Sequence, residues 1–365
     1  MAAARMQEDR TGPFGREPHR FAVDADAYRA ADHGWLAELD GLSVHAGAPQ
    51  QRMATRAVDE ADWLRIDGLR EPELALRRRI LAEARPEVSA AVPGSEAACE
   101  EAAALVASWL AAHRPEPAGP DLTSGGVTGD GPEHQIGDGP DLMSGGVTGD
   151  GPDLMSGDVT GDGPEHQIGL GALERAALSV QEDLCLMERS AGTGGWDLTA
   201  GVVLFPSYWR ILEKLGHRQE AIHGPVPHYA DDLAITVTRF FDRLRPGRIV
   251  SRRNWGFVAH PLLFVPQIGV LDTSDRYQPP DLWLRSERQT LRALPDTGAI
   301  LFTIKVELAP APALVAYPDL AGRLADAIDG WSPEMLAMRG SRYGGVGSIT
   351  AWLRSVAAGT WQPAG

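Results

Sequence analysis

Cysteine is scarce in this chain, with only Cys99 and Cys185 among 365 residues. Two cysteines are too few for a disulfide framework, a four-cysteine zinc site or a cysteine-ligated iron–sulfur cluster. No apolar run approaches the roughly 20 residues that a membrane-spanning helix needs. Residues 1–9 also lack the apolar segment of a secretory signal. We therefore expect a cytoplasmic protein with no membrane segment.

Basic residues are also in deficit, because 34 Lys and Arg face 50 Asp and Glu, a formal net charge of −16. This balance argues against non-specific binding to nucleic acid, which is driven by contacts of basic side chains with phosphates. The glycine-rich phosphate loops, the H-E-x-x-H zinc motif and the G-x-S-x-G nucleophile motif are absent.

The negative charge is concentrated in an internal repeat. Residues 119–170 hold eight Asp, two Glu and no Lys or Arg, which is −10 of the net −16. Near-identical units begin at residues 119, 139 and 151, and an octamer recurs at 131 and 163. Units so rich in Gly, Pro and Asp bury too little apolar surface to offset the entropy of ordering them. We expect a disordered acidic insertion over residues 115–170; the alternative is weak cation or partner binding.

The remaining chain predicts an α+β fold with helices flanking a sheet. We expect a loose tail at 1–30, a helical part at 31–114, and a core with its C-terminal helices at 171–358. Helices are predicted over residues 61–66, 71–85, 95–113, 206–214, 231–244, 287–293, 317–329, 333–339 and 347–357. Strands are predicted over residues 178–187, 198–205, 248–258, 282–285 and 299–308.

The sequence around His223 favours a fixed backbone. Pro225 and Pro227 follow it closely, and each restricts its own φ. A preorganised backbone suits a metal or haem ligand, although a structural loop histidine has the same pattern. His228, His217 and His260 are weaker alternatives. Cys185 lies in an apolar strand and is expected to be an inert core thiol.

Two runs rich in arginine suggest an anion pocket. One spans residues 252–255 (RRNW) and the other spans 285–289 (RSERQ). The planar guanidinium group pairs with carboxylates, including those of haem propionates. Surface salt bridges are the alternative explanation.

Several blocks together resemble the haem-dependent oxidative N-demethylase alpha-subunit-like family. The blocks are QEDLCLM (181–187), LTAGVVLFPSYWRILEKLG (198–216), IHGPVP (222–227), FDRL (241–244), RRNW (252–255) and LRSERQTLRALPDTGAILFTIK (284–305). Trp63 and Asp67 resemble a further feature near the N-terminus. The resemblance covers roughly residues 55–345, and the repeat at 119–170 departs from it.

This resemblance implies a PAS-like antiparallel-sheet core that binds non-covalent haem b. The implied activity is that of a monooxygenase subunit, which uses O2 to remove an N-methyl group from a small secondary amine and releases formaldehyde. The electrons would come from flavin and iron–sulfur reductase subunits on separate chains.

The resemblance also suggests roles for single residues. His223 would ligate the iron, and Arg253 and Arg288 would bind the propionates. Asn254 would line the pocket, and Glu287 would hold the protonated amine by a charge-assisted hydrogen bond. The alternative for Glu287 and Arg288 is an internal ion pair that orders the start of a helix.

Three other functions stay open at this point. The chain could be a non-catalytic haem-binding or sensor module, because fold does not determine function. It could oxidise another nitrogen compound in a biosynthetic pathway, with similar site chemistry. It could also be a haemless interaction protein whose acidic repeat is the working part.

Overall fold

The computed structural model describes residues 21–41, 55–113, 164–192, 194–222, 234–266, 278–333, 336 and 346–362. Most of the predicted tail and most of the acidic repeat lie outside these residues. So do His223 and His228.

Helices and strands are interspersed along the described part of the chain. The helices are α1 (Ala25–Ala30), α2 (Trp35–Gly41), α3 (Arg70–Val88), α4 (Glu96–His113), α5 (Pro164–Ala177), α6 (Gln219–Ile222), α7 (Ala234–Arg243), α8 (Pro318–Asp329) and α9 (Val346–Ala357). The strands are β1 (Arg56–Val58), β2 (Ser89–Ala91), β3 (Glu182–Arg189), β4 (Trp196–Val202), β5 (Ile249–Val258), β6 (Trp283–Ala293) and β7 (Ile300–Pro310). Single 3₁₀ turns occur at Glu60–Asp62, Ile211–Glu213, Pro279–Asp281 and Ala311–Ala316.

All seven strands form one antiparallel sheet in the order β1-β5-β6-β7-β3-β4-β2. The long strands β5, β6 and β7 occupy its middle, and the three-residue strands β1 and β2 are its edges. Short edge strands limit pairing with other chains. The α+β prediction is confirmed.

Three apolar clusters hold helices against this sheet. The first joins α4 and α5 to strand residues such as Leu184 and Leu301. The second packs α8 and α9 on the turn at Ala311–Ala316. The third joins α7 to strands β3, β6 and β7. No helix in the described part of the chain is both long enough and apolar enough to cross a membrane.

The inner end of the predicted tail belongs to the folded part. Residues 21–30 contain α1, and both Phe21 and Tyr28 are buried. The Phe21 ring meets Phe264 edge-on at 5.1 Å, and the Tyr28 hydroxyl donates to Glu73 at 2.9 Å. These contacts span large separations in sequence, so a local pattern does not reveal them.

The last seven residues of the predicted insertion, 164–170, are helical. They begin α5, whose Leu170 and Leu173 are buried. Gly169 lies so close to α4 that an added Cβ would stand 2.8 Å from the Glu96 Cα. The helix crossing therefore uses the absence of a side chain at this position of the repeat.

Three predicted helices are wrong. Residues 61–66 contain only the end of the 3₁₀ turn Glu60–Asp62 and are not helical beyond it. Residues 287–293 continue the strand that begins at Trp283, because β6 hydrogen-bonds to β5 on one side and to β7 on the other. This ladder overrides the helix-like spacing of the charged residues. Residues 206–214 form only the 3₁₀ turn Ile211–Glu213. Tyr208 has a φ of 66° and its N–H donates to the Val265 carbonyl at 2.6 Å, which a helix would not allow.

The other predicted elements agree better with the structure. The strands predicted at 248–258 and 299–308 and the helices predicted at 95–113, 317–329 and 347–357 are confirmed to within two residues. The helix predicted at 71–85 continues to Val88, with a kink at Ala84. The strand predicted at 178–187 begins only at Glu182, because α5 and its terminal turn extend further than expected.

Candidate functional site

Strands β5 and β6 separate the predicted site residues into two sets. Asn254 is directly opposite Glu287, and Arg253 is directly opposite Arg288. Directly opposed residues share one face of an antiparallel sheet, and the next residue along each strand lies on the other face. We call the two sides the Glu287 face and the Arg288 face.

Glu287 is a buried carboxylate held by neutral amides. Its side chain accepts hydrogen bonds from Asn254 Nδ2 and from Gln289 Nε2, each at 2.8 Å. The Asn254 Oδ1 in turn accepts from the Glu287 backbone N–H at 3.1 Å. Glu287 is only 8% exposed, and no described basic side chain lies within 4 Å of it. The amides orient the carboxylate without forming an ion pair with it.

Two cationic residues belong to the same face. Arg252 is opposite Gln289 in the sheet register, one row from Asn254 and Glu287. Lys214 places its Nζ 4.1 Å from the centre of the Trp209 ring. Burial lowers the pKa of Lys214, and the negative charge of Glu287 opposes that effect. The face therefore combines the oriented Glu287 carboxylate with the cations Lys214 and Arg252, and with Arg285 two residues away on β6.

Arg285 anchors the loops beside Glu287. Its guanidinium group donates to the carbonyls of Phe205, Pro206, Leu262 and Leu263 and to the Ser207 hydroxyl, at 2.6–3.3 Å. Burial lowers the pKa of Arg285. A fully engaged, buried guanidinium stabilises the loop that carries Trp209 toward the sheet.

An apolar surface adjoins the polar part of the Glu287 face. It includes Cys185, Met187, Leu291 and Phe302 of the strands, with Val237 and Phe241 of α7 packed on them. Ile222, the last residue of α6, packs against the same cluster. Burial raises the pKa of the Cys185 thiol, so the group stays protonated. This environment fits the prediction of an inert core thiol.

The Arg288 face is a closed network of charges. Arg253 is 2% exposed in its side chain, donates to Glu38 at 2.9 Å and pairs with Glu307. Arg288 is 1% exposed and donates to the carbonyls of Trp63 and Asp62 at 3.0 and 2.5 Å. Burial lowers the pKa of Arg288 to about 10. Both guanidinium groups are already occupied by partners within the chain.

The structure thus brings Asn254 and Glu287 together and places Arg253 and Arg288 across the sheet from them. The suggested ion pair between Glu287 and Arg288 is not formed, and neither residue begins a helix. Gln289 and Lys214 were missed by the sequence reasoning. The alternation of strand residues would have paired Gln289 with Glu287, but only after 287–293 was recognised as a strand.

The described histidines form no metal centre. No group of three His, Cys, Asp or Glu side chains suited to an ion occurs in the described ranges. His217 Nδ1 lies 3.0 Å from the Leu215 carbonyl, as in a local turn.

Comparison with known families decides the family of the chain. A model of the haem-dependent oxidative N-demethylase, alpha subunit-like, matches residues 54–345. The chain belongs to this family. The match covers the whole sheet, and a search of curated proteins finds no similar sequence. Family membership makes the chain a haem-dependent oxidative N-demethylase-like subunit, and the term alpha subunit suggests a multi-subunit complex.

The chemistry of the Glu287 face fits the haem that the family uses. Haem presents a flat apolar ring and two carboxylates. The face offers the apolar side chains around Phe302 and, beside them, the cations Lys214 and Arg252. The Arg288 face does not fit, because its guanidinium groups are buried and paired.

Proposed function

We propose that this chain is a catalytic subunit that oxidatively removes an N-methyl group from a small secondary amine, with the Glu287 face as its site. The observation that carries this proposal is the buried Glu287 carboxylate, oriented by two amides and without a described cation within 4 Å. A carboxylate in this setting favours a ligand that brings its own positive charge.

The residues of the face would act by binding and orientation. Glu287 would accept a charge-assisted hydrogen bond from the protonated amine and hold the nitrogen in one place. Asn254 and Gln289 fix the carboxylate through their amide groups, so we assign them positioning roles. Arg285 keeps the adjoining loops in place through its carbonyl contacts.

Bound haem b would supply activation of O2 and oxidation of the methyl group, chemistry that protein side chains lack. The overall reaction consumes one O2, two electrons and two protons, and yields the demethylated amine, formaldehyde and water. The electrons would come from flavin and iron–sulfur reductase subunits on separate chains. The family's alpha-subunit designation supports partners of this kind.

His223 is proposed as the iron ligand. It lies outside the described residues, and the support is its place in the sequence directly after Ile222. Ile222 packs on the apolar cluster of the Glu287 face. We do not carry Arg253 and Arg288 forward as propionate partners, because Glu38, Glu307 and backbone carbonyls already engage them.

Two coarser features support the rest of the proposal. The antiparallel order β4-β3-β7-β6-β5, with helices between β4 and β5, supports the PAS-like core. Both cysteines are buried free thiols, which supports a reducing, cytoplasmic location.

A visible absorption spectrum of the purified full chain with added haem tests the cofactor. We expect a strong Soret band in the wild type that shifts or disappears in His223→Ala. An unchanged band in the variant would show that another residue ligates the iron. Complete absence of a band in the wild type would contradict haem binding and favour the haemless interaction protein.

Formaldehyde release from N-methyl amines, with a chemical reductant and O2, tests the reaction. We expect Glu287→Gln to bind haem as the wild type does and to lose at least tenfold in kcat/KM. Glu100→Gln, which neutralises an exposed carboxylate on α4, is the matched control and should retain full activity. Haem binding without any turnover in the wild type would favour the sensor module instead.

A further inference from the structure

Lys214 is a cation of the Glu287 face that the proposed reaction does not use. Its Nζ lies 4.1 Å from the Trp209 ring centre. Trp209 in turn packs against the apolar cluster of the Glu287 face, so the Lys214 ammonium group lies beside that cluster. The negative charges of Glu287 and of the neighbouring Glu213 counter the effect of burial on the pKa of Lys214.

The backbone holds Lys214 in this place. The turn Ile211–Glu213 precedes it, and the Lys214 N–H donates to the Ile211 carbonyl at 3.0 Å. Ile211 is fully buried against Gly201 of β4, where an added Cβ would stand 2.8 Å from the Ile211 Cδ1. Gly201 thus lets the turn approach the sheet closely.

The ammonium group lacks the partner that such a position calls for. Among the described residues, no carboxylate lies within 4 Å of the Lys214 Nζ. Burial of a cation is costly unless an anion compensates for the lost hydration. Contact with the Trp209 ring offsets only part of that cost.

Arg252 places a second positive charge on the same face. It is opposite Gln289, whose amide holds Glu287. The face therefore presents an anionic point at Glu287 flanked by cations, a pattern complementary to a zwitterion.

We propose that Lys214, assisted by Arg252, binds a carboxylate on the Glu287 face. The carboxylate belongs either to the substrate, which is then an N-methyl amino acid with its ammonium group on Glu287, or to a haem propionate. This inference rests on the proposed function and names the ligand chemistry of the same site.

The experiment compares N-methylglycine with dimethylamine, which is the same amine without the carboxylate. Calorimetric titration of the haem-loaded full chain measures both dissociation constants, and a Soret titration measures the affinity for haem. If the carboxylate belongs to the substrate, we expect Lys214→Met to weaken the binding of N-methylglycine at least tenfold. The affinities for dimethylamine and for haem should each change less than twofold. For a propionate, we expect at least a tenfold loss of haem affinity and no change in the ratio of the two amines.

Two variants serve as controls. Lys214→Arg keeps the charge and should stay within threefold of the wild type. Arg78→Met neutralises an exposed cation of α3 and should change none of the constants. If Lys214→Met folds normally by circular dichroism and changes neither amine selectivity nor haem affinity, the proposal is wrong.

A separate titration distinguishes this result from failure of the proposed function. N-methylglycine is also titrated into the haem-free chain, in wild type and in Lys214→Met. Loss of binding in the variant supports the carboxylate site even when no turnover is found. Equal binding by both haem-free proteins, together with equal haem affinity, overturns it.

Discussion

On the Arg288 face, the cost of burying an ionisable side chain depends on whether a partner is buried with it. Lys305 and Glu73 are each 1% exposed and lie 2.7 Å apart, so each compensates the other. Glu182 is also 1% exposed, but its Oε2 has no hydrogen-bond partner among the described residues. Burial raises the pKa of Glu182 to about 7, although the Arg65 backbone N–H and nearby cations oppose the rise.

Glu182 should make the protein less stable as the pH rises. Its pKa is 4.5 in the reference state and about 7 in the folded chain, so the folded state binds more protons between these values. The free energy of unfolding should therefore fall between pH 4.5 and pH 7, by on the order of 3 kcal/mol. We expect Glu182→Gln to remove most of this fall.

Urea unfolding at pH 5 and pH 8 measures the effect. The difference in unfolding free energy between Glu182→Gln and the wild type should be greater at pH 8. Glu71→Gln, at a side chain that is 77% exposed, should follow the wild type at both values. Equal pH dependence in Glu182→Gln and the wild type would disprove the assignment.

At the scale of elements, β6 organises the site. Its alternate residues point to opposite faces, so Glu287 and Arg288 serve different environments although they are neighbours in sequence. Arg285 of the same strand binds two loops at once, those at 205–207 and 262–263. The strand thus carries both the candidate carboxylate and the anchor of the surrounding backbone.

Arg285→Met should loosen these two loops together. The variant leaves four carbonyls without their buried donor, which we expect to cost about 2–4 kcal/mol of unfolding free energy. The amides of Tyr208 and Val265, which bond across the two loops, should exchange faster with deuterium. Amides of α8 should keep their wild-type exchange rates under conditions in which the protein as a whole stays folded. Equal acceleration in α8 would show that the effect is not local.

At the scale of the whole molecule, the acidic repeat and the folded part overlap in sequence. The repeat extends to residue 170, but α5 begins at Pro164. Leu170 and Leu173 of α5 are buried in the first apolar cluster. The last repeated octamer therefore contributes residues to the folded part of the chain.

Two deletions should separate the repeat from the fold. Removal of residues 119–163 should leave the thermal unfolding midpoint within a few degrees and the haem spectrum unchanged. Removal of 119–170 takes the first half of α5 and should cost about 2 kcal/mol or more. Calorimetry and the Soret spectrum of the two variants test this contribution, and equal stability of both would refute it.

Much of the fold could be predicted because the signals were local. Strand β7 is rich in β-branched and aromatic residues, and α8 begins at a proline and repeats its apolar residues at helical spacing. The segments 206–214 and 287–293 could not be predicted in this way. Their conformations depend on hydrogen bonds to Val265 and to the neighbouring strands, which are distant in sequence.

The sequence by itself determined the α+β class and the family, and it pointed to Asn254 and Glu287 as candidate site residues, since these follow from residue types in order along the chain. Only the tertiary structure decided which residues share a face. A strand reverses the direction of its side chains at every residue, so a one-residue step separated Glu287 from Arg288. Long-range packing of the turn at Ile211 on Gly201 then brought Lys214 over Trp209 and within electrostatic reach of Glu287, a juxtaposition that no local pattern encodes.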